Sequence, residues 1–358
     1  MKIKSKKVSV LLAIAASATF CFALCGNAKS PTSAKAAVVE DVTEEISAAE
    51  TIPEQEVAQE EGIVAYATHQ LQGNGQFGDP YLIYDREDLE DIRNYTQTNN
   101  GQTTIQGVYE LRNSIDLSSK NWIAPSHTFA GTFNGNGYVI IGMKIQVSGE
   151  GNYGLFGINK GTIQNLIFTN ISIVASGAED AYNDVGPAAG ANYGIIENCR
   201  TMNSTLEMKG YYNTCLGGIT GSLYYSTVKN CTVDSNVTFL GSGKMGGIAG
   251  CASNSDIRQC TNSANINYYH KRGQDGCIGG IVGKIQFGST VSDCRYLSGT
   301  IKNSGKDIFS HPDPYMGRII GYMGAGCAYK AHANGTGNGT VVPTGNNTNG
   351  DEPIGHSE

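Results

Sequence analysis

Apolar residues along this chain fall in short clusters closed by glycine, with no amphipathic run of helical period between them from residue 151 onward. A block ending in glycine recurs as Gly154-Leu155-Phe156-Gly157, Pro187-Ala188-Ala189-Gly190, Gly218-Ile219-Thr220-Gly221, Gly247-Ile248-Ala249-Gly250, Gly280-Ile281-Val282-Gly283 and Arg318-Ile319-Ile320-Gly321. The final glycines lie 33, 31, 29, 33 and 38 residues apart. After each of the first five comes a β-branched residue, any residue, an amide or acid, and then Leu or Cys. These are Ile163/Asn165/Leu166, Ile196/Asn198/Cys199, Val228/Asn230/Cys231, Ile257/Gln259/Cys260 and Val291/Asp293/Cys294.

The pattern predicts two or three short strands per repeat, separated by Gly, Asn or Ser. One such unit cannot bury its apolar face alone. Stacked copies can, each strand pairing with its equivalent about 4.8 Å away. The expected fold is therefore all-β, a right-handed parallel β-helix of about six coils over residues 151–330. A propeller is disfavoured, because a blade needs about 40 residues and four strands. The repeat frame consists of Gly157, Gly190, Gly221, Gly250, Gly283 and Gly321, with Leu166, Cys199, Cys231, Cys260 and Cys294 as core positions.

Residues 63–150 are expected to form an N-terminal cap with one short helix. Asp85 caps it, Glu87 and Asp88 favour its positive end, and Leu89, Ile92 and Tyr95 share a face. Its expected role is to cover unpaired strand edges at the open end of the coil.

The glycine blocks resemble the GLUG motif, named for glycine, leucine, a variable residue and glycine, of bacterial extracellular proteins that include IgA-specific metallopeptidases. Gly154-Leu155-Phe156-Gly157 matches it literally, whereas Pro187 and Arg318 depart from the first glycine. Upstream, Gly78-Asp79-Pro80-Tyr81-Leu82-Ile83 and Phe129-Ala130-Gly131-Thr132-Phe133-Asn134-Gly135-Asn136-Gly137 are similar to the segments that lead into such repeats. The resemblance spans roughly residues 73 to 330. It implies an architecture and an exported location but no activity. The peptidase His-Glu-x-x-His signature does not carry over, since the six histidines precede Gln70, Thr128, Lys271, Pro312, Ala333 and Ser357.

The chain's ends differ in composition. Lys2, Lys4, Lys6 and Lys7 precede an apolar stretch from Val8 to Leu24 and then small residues, the plan of a secretory signal peptide over residues 1–36. Residues 37–62 carry nine acidic side chains and no Lys or Arg, as in a disordered spacer. Residues 331–358 are rich in Gly, Asn and Thr and are expected to be a flexible tail. Beyond residue 62 there remain 19 basic against 23 acidic side chains, so charge offers no nucleic-acid partner. Membrane contact is expected only through the signal peptide before cleavage.

Eight cysteines lie beyond that signal. Cys199, Cys231, Cys260 and Cys294 fill the slot of Leu166 and are expected to be buried thiols, because Cβ vectors on in-register neighbours run side by side. Cys215 and Cys277 share another frame with Lys244 between them. No Cys-x-x-Cys or neighbouring His suggests a metal, and no cofactor is expected. Two Gly-x-Gly-x-x-Gly strings, from Gly73 and from Gly241, open no helix and are read as turns.

Tyrosine doublets at Tyr211-Tyr212, Tyr224-Tyr225 and Tyr268-Tyr269 are the candidate binding residues. In a strand each doublet sends one ring outward, where it can hold a sugar or a protein partner. Asp180, Asp184, Asp234, Asp256 and Asp293 are the carboxylates that a β-helix polysaccharide lyase or hydrolase would draw on, but no two share a repeat frame, so no catalytic residues are assigned. The expected function is a secreted or cell-surface-associated, non-catalytic binding or adhesion module for a glycan or protein. The alternatives are that enzyme and a structural spacer of a surface assembly.

Overall fold

The computed structural model describes residues 69–177, 181–209, 213–269, 276–304, 314–342 and 352–357. The expected signal peptide and spacer, Asp180 and the doublet Tyr211-Tyr212 lie outside the described residues. Ala65–Glu358 is one compact unit. It is a parallel β-helix, with strands stacked in register into sheets of nine, ten, six, seven and seven strands. One turn visits five faces. Gly151–Tyr153 joins the six-stranded sheet, Phe156–Asn159 the ten-stranded, Thr162–Gln164 the nine-stranded, and Ile167–Thr169 and Ser172–Ser176 the two seven-stranded sheets. Five strands per turn replace the expected two or three, because most are only two to five residues long and too short to show alternation.

Each column of inward-facing residues is a ladder of like side chains. Ile163, Ile196, Val228, Ile257 and Val291 stack on successive turns, all fully buried. Complete burial of such a side chain stabilises by about 1.5–3 kcal/mol, so the core is built turn by turn from equal contributions. Towards the N-terminal end the core becomes aromatic, with Phe129 stacked on Phe156 at 4.2 Å and Tyr109 tilted against Tyr81 at 5.3 Å between centroids.

The second repeat block is a corner. Asn165, Asn198, Asn230, Gln259 and Asp293 all have φ of 54° to 55°, the left-handed region in which a short amide or acid is the least strained side-chain-bearing residue. Asn198 Nδ2 donates to Asn165 Oδ1 at 3.1 Å, and Asn165 Nδ2 to Asn134 Oδ1 at 2.9 Å. The next residue turns inward. Leu166, Cys199, Cys231, Cys260 and Cys294 are buried there, and the four cysteines are free thiols. Cys231 Sγ lies 3.3 Å from the Lys229 carbonyl, and burial pushes its thiol well above the ordinary range.

The first block is a corner of another kind. A Cβ on Gly190 would lie 2.4 Å from the Tyr153 nitrogen, and one on Gly250 would lie 2.5 Å from the Leu216 nitrogen. Glycine serves here for close approach of the six- and ten-stranded sheets, and neither residue has a positive φ.

The helix is Arg86–Asp91, and the Asp85 side chain accepts from the Asp88 nitrogen at 3.0 Å. Leu89 and Ile92 are buried in the common core. The edge of the ten-stranded sheet is closed by an antiparallel hairpin, Thr96–Asn99 with Gln102–Ile105, whose outer strand is polar and exposed. Tyr81–Ile83 and Val108–Leu111 are the first two strands of the nine-stranded sheet, so coil winding starts well before residue 151 and exceeds six turns. Two described parts of the segment expected as a flexible tail are strands. Thr340–Val341 pairs with Thr300–Asn303, and Ile354–Ser357 ends the ten-stranded sheet beside Ile320–Met323. Gly355 follows Gly321 by 34 residues, a seventh repeat of the frame hidden by its polar surroundings.

Candidate functional site: a groove along the glycine corner

At the glycine corner two columns of side chains face outward side by side. The six-stranded sheet supplies Asn152, Asp184, Cys215, Lys244, Cys277 and Tyr315, the first lying two residues and the others three residues before the first position of the glycine block of their turn. The ten-stranded sheet supplies Ala191, Ser222, Cys251, Lys284, Tyr322 and His356, each directly after the final glycine. Close approach at the glycines brings the columns into contact with a constant offset. Ser222 Oγ donates to Asp184 Oδ1 at 2.5 Å. Cys215 and Cys251 are joined by a disulfide. The same step sets Lys244 opposite Lys284, and at the far end the Tyr315 ring stacks on His356 at 4.6 Å.

Around the disulfide the corner opens into a cavity of about 460 Å³, lined by Asp184, Tyr224, Lys244, Lys284 and Gln286 among others, with exposed Tyr182 at its lip. Tyr224 stacks on Tyr193 of the preceding turn at 5.0 Å and 21°, the two rings lying nearly parallel, face to face. Lys284 Nζ lies 4.8 Å from the Tyr322 ring centroid, within cation–π range. Loss of water pushes the Asp184 carboxyl up to about 6, against the opposing effects of the Ser222 hydrogen bond and the Lys244 charge. Burial likewise raises the Tyr224 phenol, with the Asp184 charge acting in the same direction. A second, apolar cavity of about 310 Å³ adjoins at Asn152, between the Trp122–Thr128 segment and Tyr153. Among the described residues no group of three or more His, Cys, Asp or Glu side chains is gathered to hold a metal ion.

Of the tyrosines expected to bind, Tyr224 lies in the groove. Tyr225 is 77% exposed beyond the next corner, with φ of 50°. Tyr268 is a correction, since it is fully buried in the core. Tyr269 is half-buried and donates its hydroxyl to the Met208 carbonyl at 3.1 Å. Asp234, Asp256 and Asp293 sit on other faces in ion pairs with Arg200, Arg258 and Lys330. Tyr193, Lys244 and Lys284 were not singled out from sequence as binding residues. Their signal is positional, a non-repeating polar residue at a fixed offset from a repeating glycine.

Three comparisons bear on this architecture. Residues 212–238 match the family model of the GLUG motif. The chain is 34% identical over 161 residues to halomucin of Haloquadratum walsbyi, covering 42% of this chain and 2% of that protein. It is 35% identical over 132 residues to a candidate Gly-rich membrane protein of Evansella cellulosilytica, covering 35% of this chain and 15% of the other. The chain therefore spans only a small part of either relative. A crystal structure described as a candidate immunoglobulin A1 protease from Bacteroides ovatus superposes with a TM-score of 0.51 and 18% identity, over 80% of this chain and 86% of that one. That likeness concerns the fold alone. Residues 212–238 thus carry a GLUG motif, and the glycine frame to which that motif belongs returns from Gly157 to Gly355 along a β-solenoid fold.

Proposed function

We propose that this protein is a non-catalytic extracellular or cell-surface binding module whose glycine-corner groove holds an extended ligand, foremost a glycan. The observation that carries the reading is the groove itself. It is an open cavity of about 460 Å³ with the Tyr224 ring beside two lysines and a carboxyl group. Flat rings give a sugar apolar contact, and the polar groups around them fix its orientation. The signal-like N-terminus supports export, and relatives named as a mucin and as a membrane protein support a surface setting. The test is retention of the protein on a panel of insoluble polysaccharides, with simultaneous assay of newly formed sugar ends. Saturable retention without new ends is the expected result. Release of sugar ends would instead favour a polysaccharide-degrading enzyme, and neither retention nor release would favour a structural spacer.

A further inference from the structure

We propose that the start of the first complete turn is a strand-acceptor site, at which an extended segment of a partner polypeptide pairs with the free edges of Lys144–Ser148 and Gly151–Tyr153. Its inward side chains fill the apolar cavity beside Trp122. This site does not rest on the glycan reading above. Topology carries the argument. Lys144–Ser148 is the first strand of one seven-stranded sheet, and Gly151–Tyr153 is the first of the six-stranded sheet. One turn earlier the chain passes this side without forming a strand. The Trp122 nitrogen donates to the Lys144 carbonyl at 2.7 Å, the bond that in a parallel ladder sets Trp122 level with Ile145. Phe129 is level with Asn159. Between these two points the chain has six residues, 123–128, where the next turn has thirteen, 146–158. The seven residues by which it falls short correspond to about 23 Å of extended chain.

The backbone along the omitted path is left without a neighbour. The Ser172 nitrogen donates to the Met143 carbonyl and the Gly149 nitrogen to the Ser176 carbonyl, so the odd-numbered residues here bond to the next turn. Gln146 and Ser148 therefore turn their N–H and C=O groups the other way. The Gly151 nitrogen and the Tyr153 carbonyl likewise engage Tyr182 and Gly186, which leaves Asn152 facing the omitted path. Among the described residues no backbone hydrogen bond reaches Gln146, Ser148 or Asn152 from that side. The cavity of about 310 Å³ lies against this edge, walled by Trp122, Ile145, Val147 and Tyr153, and no Asp, Glu, Lys or Arg lines it. Val147 and Tyr153 are only half-buried, whereas their equivalents one turn later, Ala175 and Val185, are fully buried. Continuity with the ladder fixes the occupant. On both sheets the strands that follow are each covered by a parallel strand in register, and an extended polypeptide supplies the same alternation of backbone donors, acceptors and inward apolar side chains.

The experiment is fluorescence-anisotropy titration of the whole protein with a labelled, end-capped peptide copying residues 146–154, the path that the next turn follows at this position. Saturable binding is expected. N-methylation of the peptide at its Val147, whose N–H points to the free edge, should weaken binding at least tenfold, and N-methylation at its Ser148, which points away, should leave it unchanged. In the protein, Gln146→Pro removes an edge donor that bonds nothing in the fold, so it should weaken binding at least tenfold without moving the thermal unfolding midpoint. Should that variant unfold, the two methylated peptides still read the pairing on the unaltered protein. Equal affinity for the two methylated peptides would overturn strand pairing, and no binding of the unmodified peptide would overturn the site. Neither result bears on retention by polysaccharides, which tests the groove.

Discussion

At the corner that follows the nine-stranded sheet, the same side chains return on turn after turn: an amide or acid with φ near 55°, then a buried Leu or Cys. At the glycine corner only the glycines return, and the residues beside them change from Asn to Asp, Cys, Lys, Cys and Tyr in one column. Both corners must bend the chain, but the first solves the problem with its side chains and the second with their absence. Where side chains make the bend, substitution is constrained and the surface is monotonous. Where glycine makes it, the neighbours are free to vary and can carry chemistry.

The most severe way to break this contrast is to fill the glycine corner. Gly250→Val places carbon within 3 Å of backbone atoms at Cys215 and Leu216, which cannot move without separating two sheets. A loss of at least about 3 kcal/mol in denaturant unfolding is expected. Next in size is the disulfide. Replacing Cys215 and Cys251 together by Ala should cost about 2–4 kcal/mol. Cys231→Ala, which only trims one rung of the thiol ladder, should cost about 1 kcal/mol. Maleimide labelling of the unfolded protein checks the same assignment independently. Of the eight cysteines beyond the signal, six should react without reductant and all eight after reduction.

Protonation sharpens the comparison further. The Asp184 carboxyl faces Ser222, Lys244 and the rings of Tyr193 and Tyr224, and its native value of about 6 lies above the ordinary 3.8. The native state therefore holds this proton more tightly than the unfolded chain, and stability from this group falls as pH rises from about 4 through 6. Asp184→Asn should remove that slope, measured as the pH dependence of the unfolding midpoint. The backbone of the monotonous corner gives an effect of the same order as that of Cys231→Ala. Asn198→Ala should cost about 1–2 kcal/mol for its left-handed backbone, and Asn198→Gly less, measured by the same unfolding transition.

Much of the coil was legible in the sequence because identical turns write identical spacings. The glycine frame, the Cys slot after Asn198 and its equivalents, and the Asp85 cap each follow from local residue chemistry. The shared column of Cys215, Lys244 and Cys277 was legible for the same reason. What the spacing could not express is the step between columns on different faces, so the partner of Cys215 on the next turn, Cys251, and the opposition of Lys244 to Lys284 emerged only in three dimensions. Of the Tyr268-Tyr269 doublet, Tyr268 is the ring that its register turns into the core, beside Gly276, and the alternation alone did not say which of the two it would be. The last strand, Ile354–Ser357, escaped notice because its pairing with Ile320–Met323 is long-range and its own composition is that of a loop.

The central claim is that binding belongs to the varied corner and not to the repeated one. Amide hydrogen exchange, with and without the polysaccharide that retains the protein, tests it directly. New protection confined to residues 182–193, 213–224, 244–253 and 282–286 is the predicted result. Protection centred instead on residues 195–202 and 227–233, where the amides and thiols repeat, would contradict it.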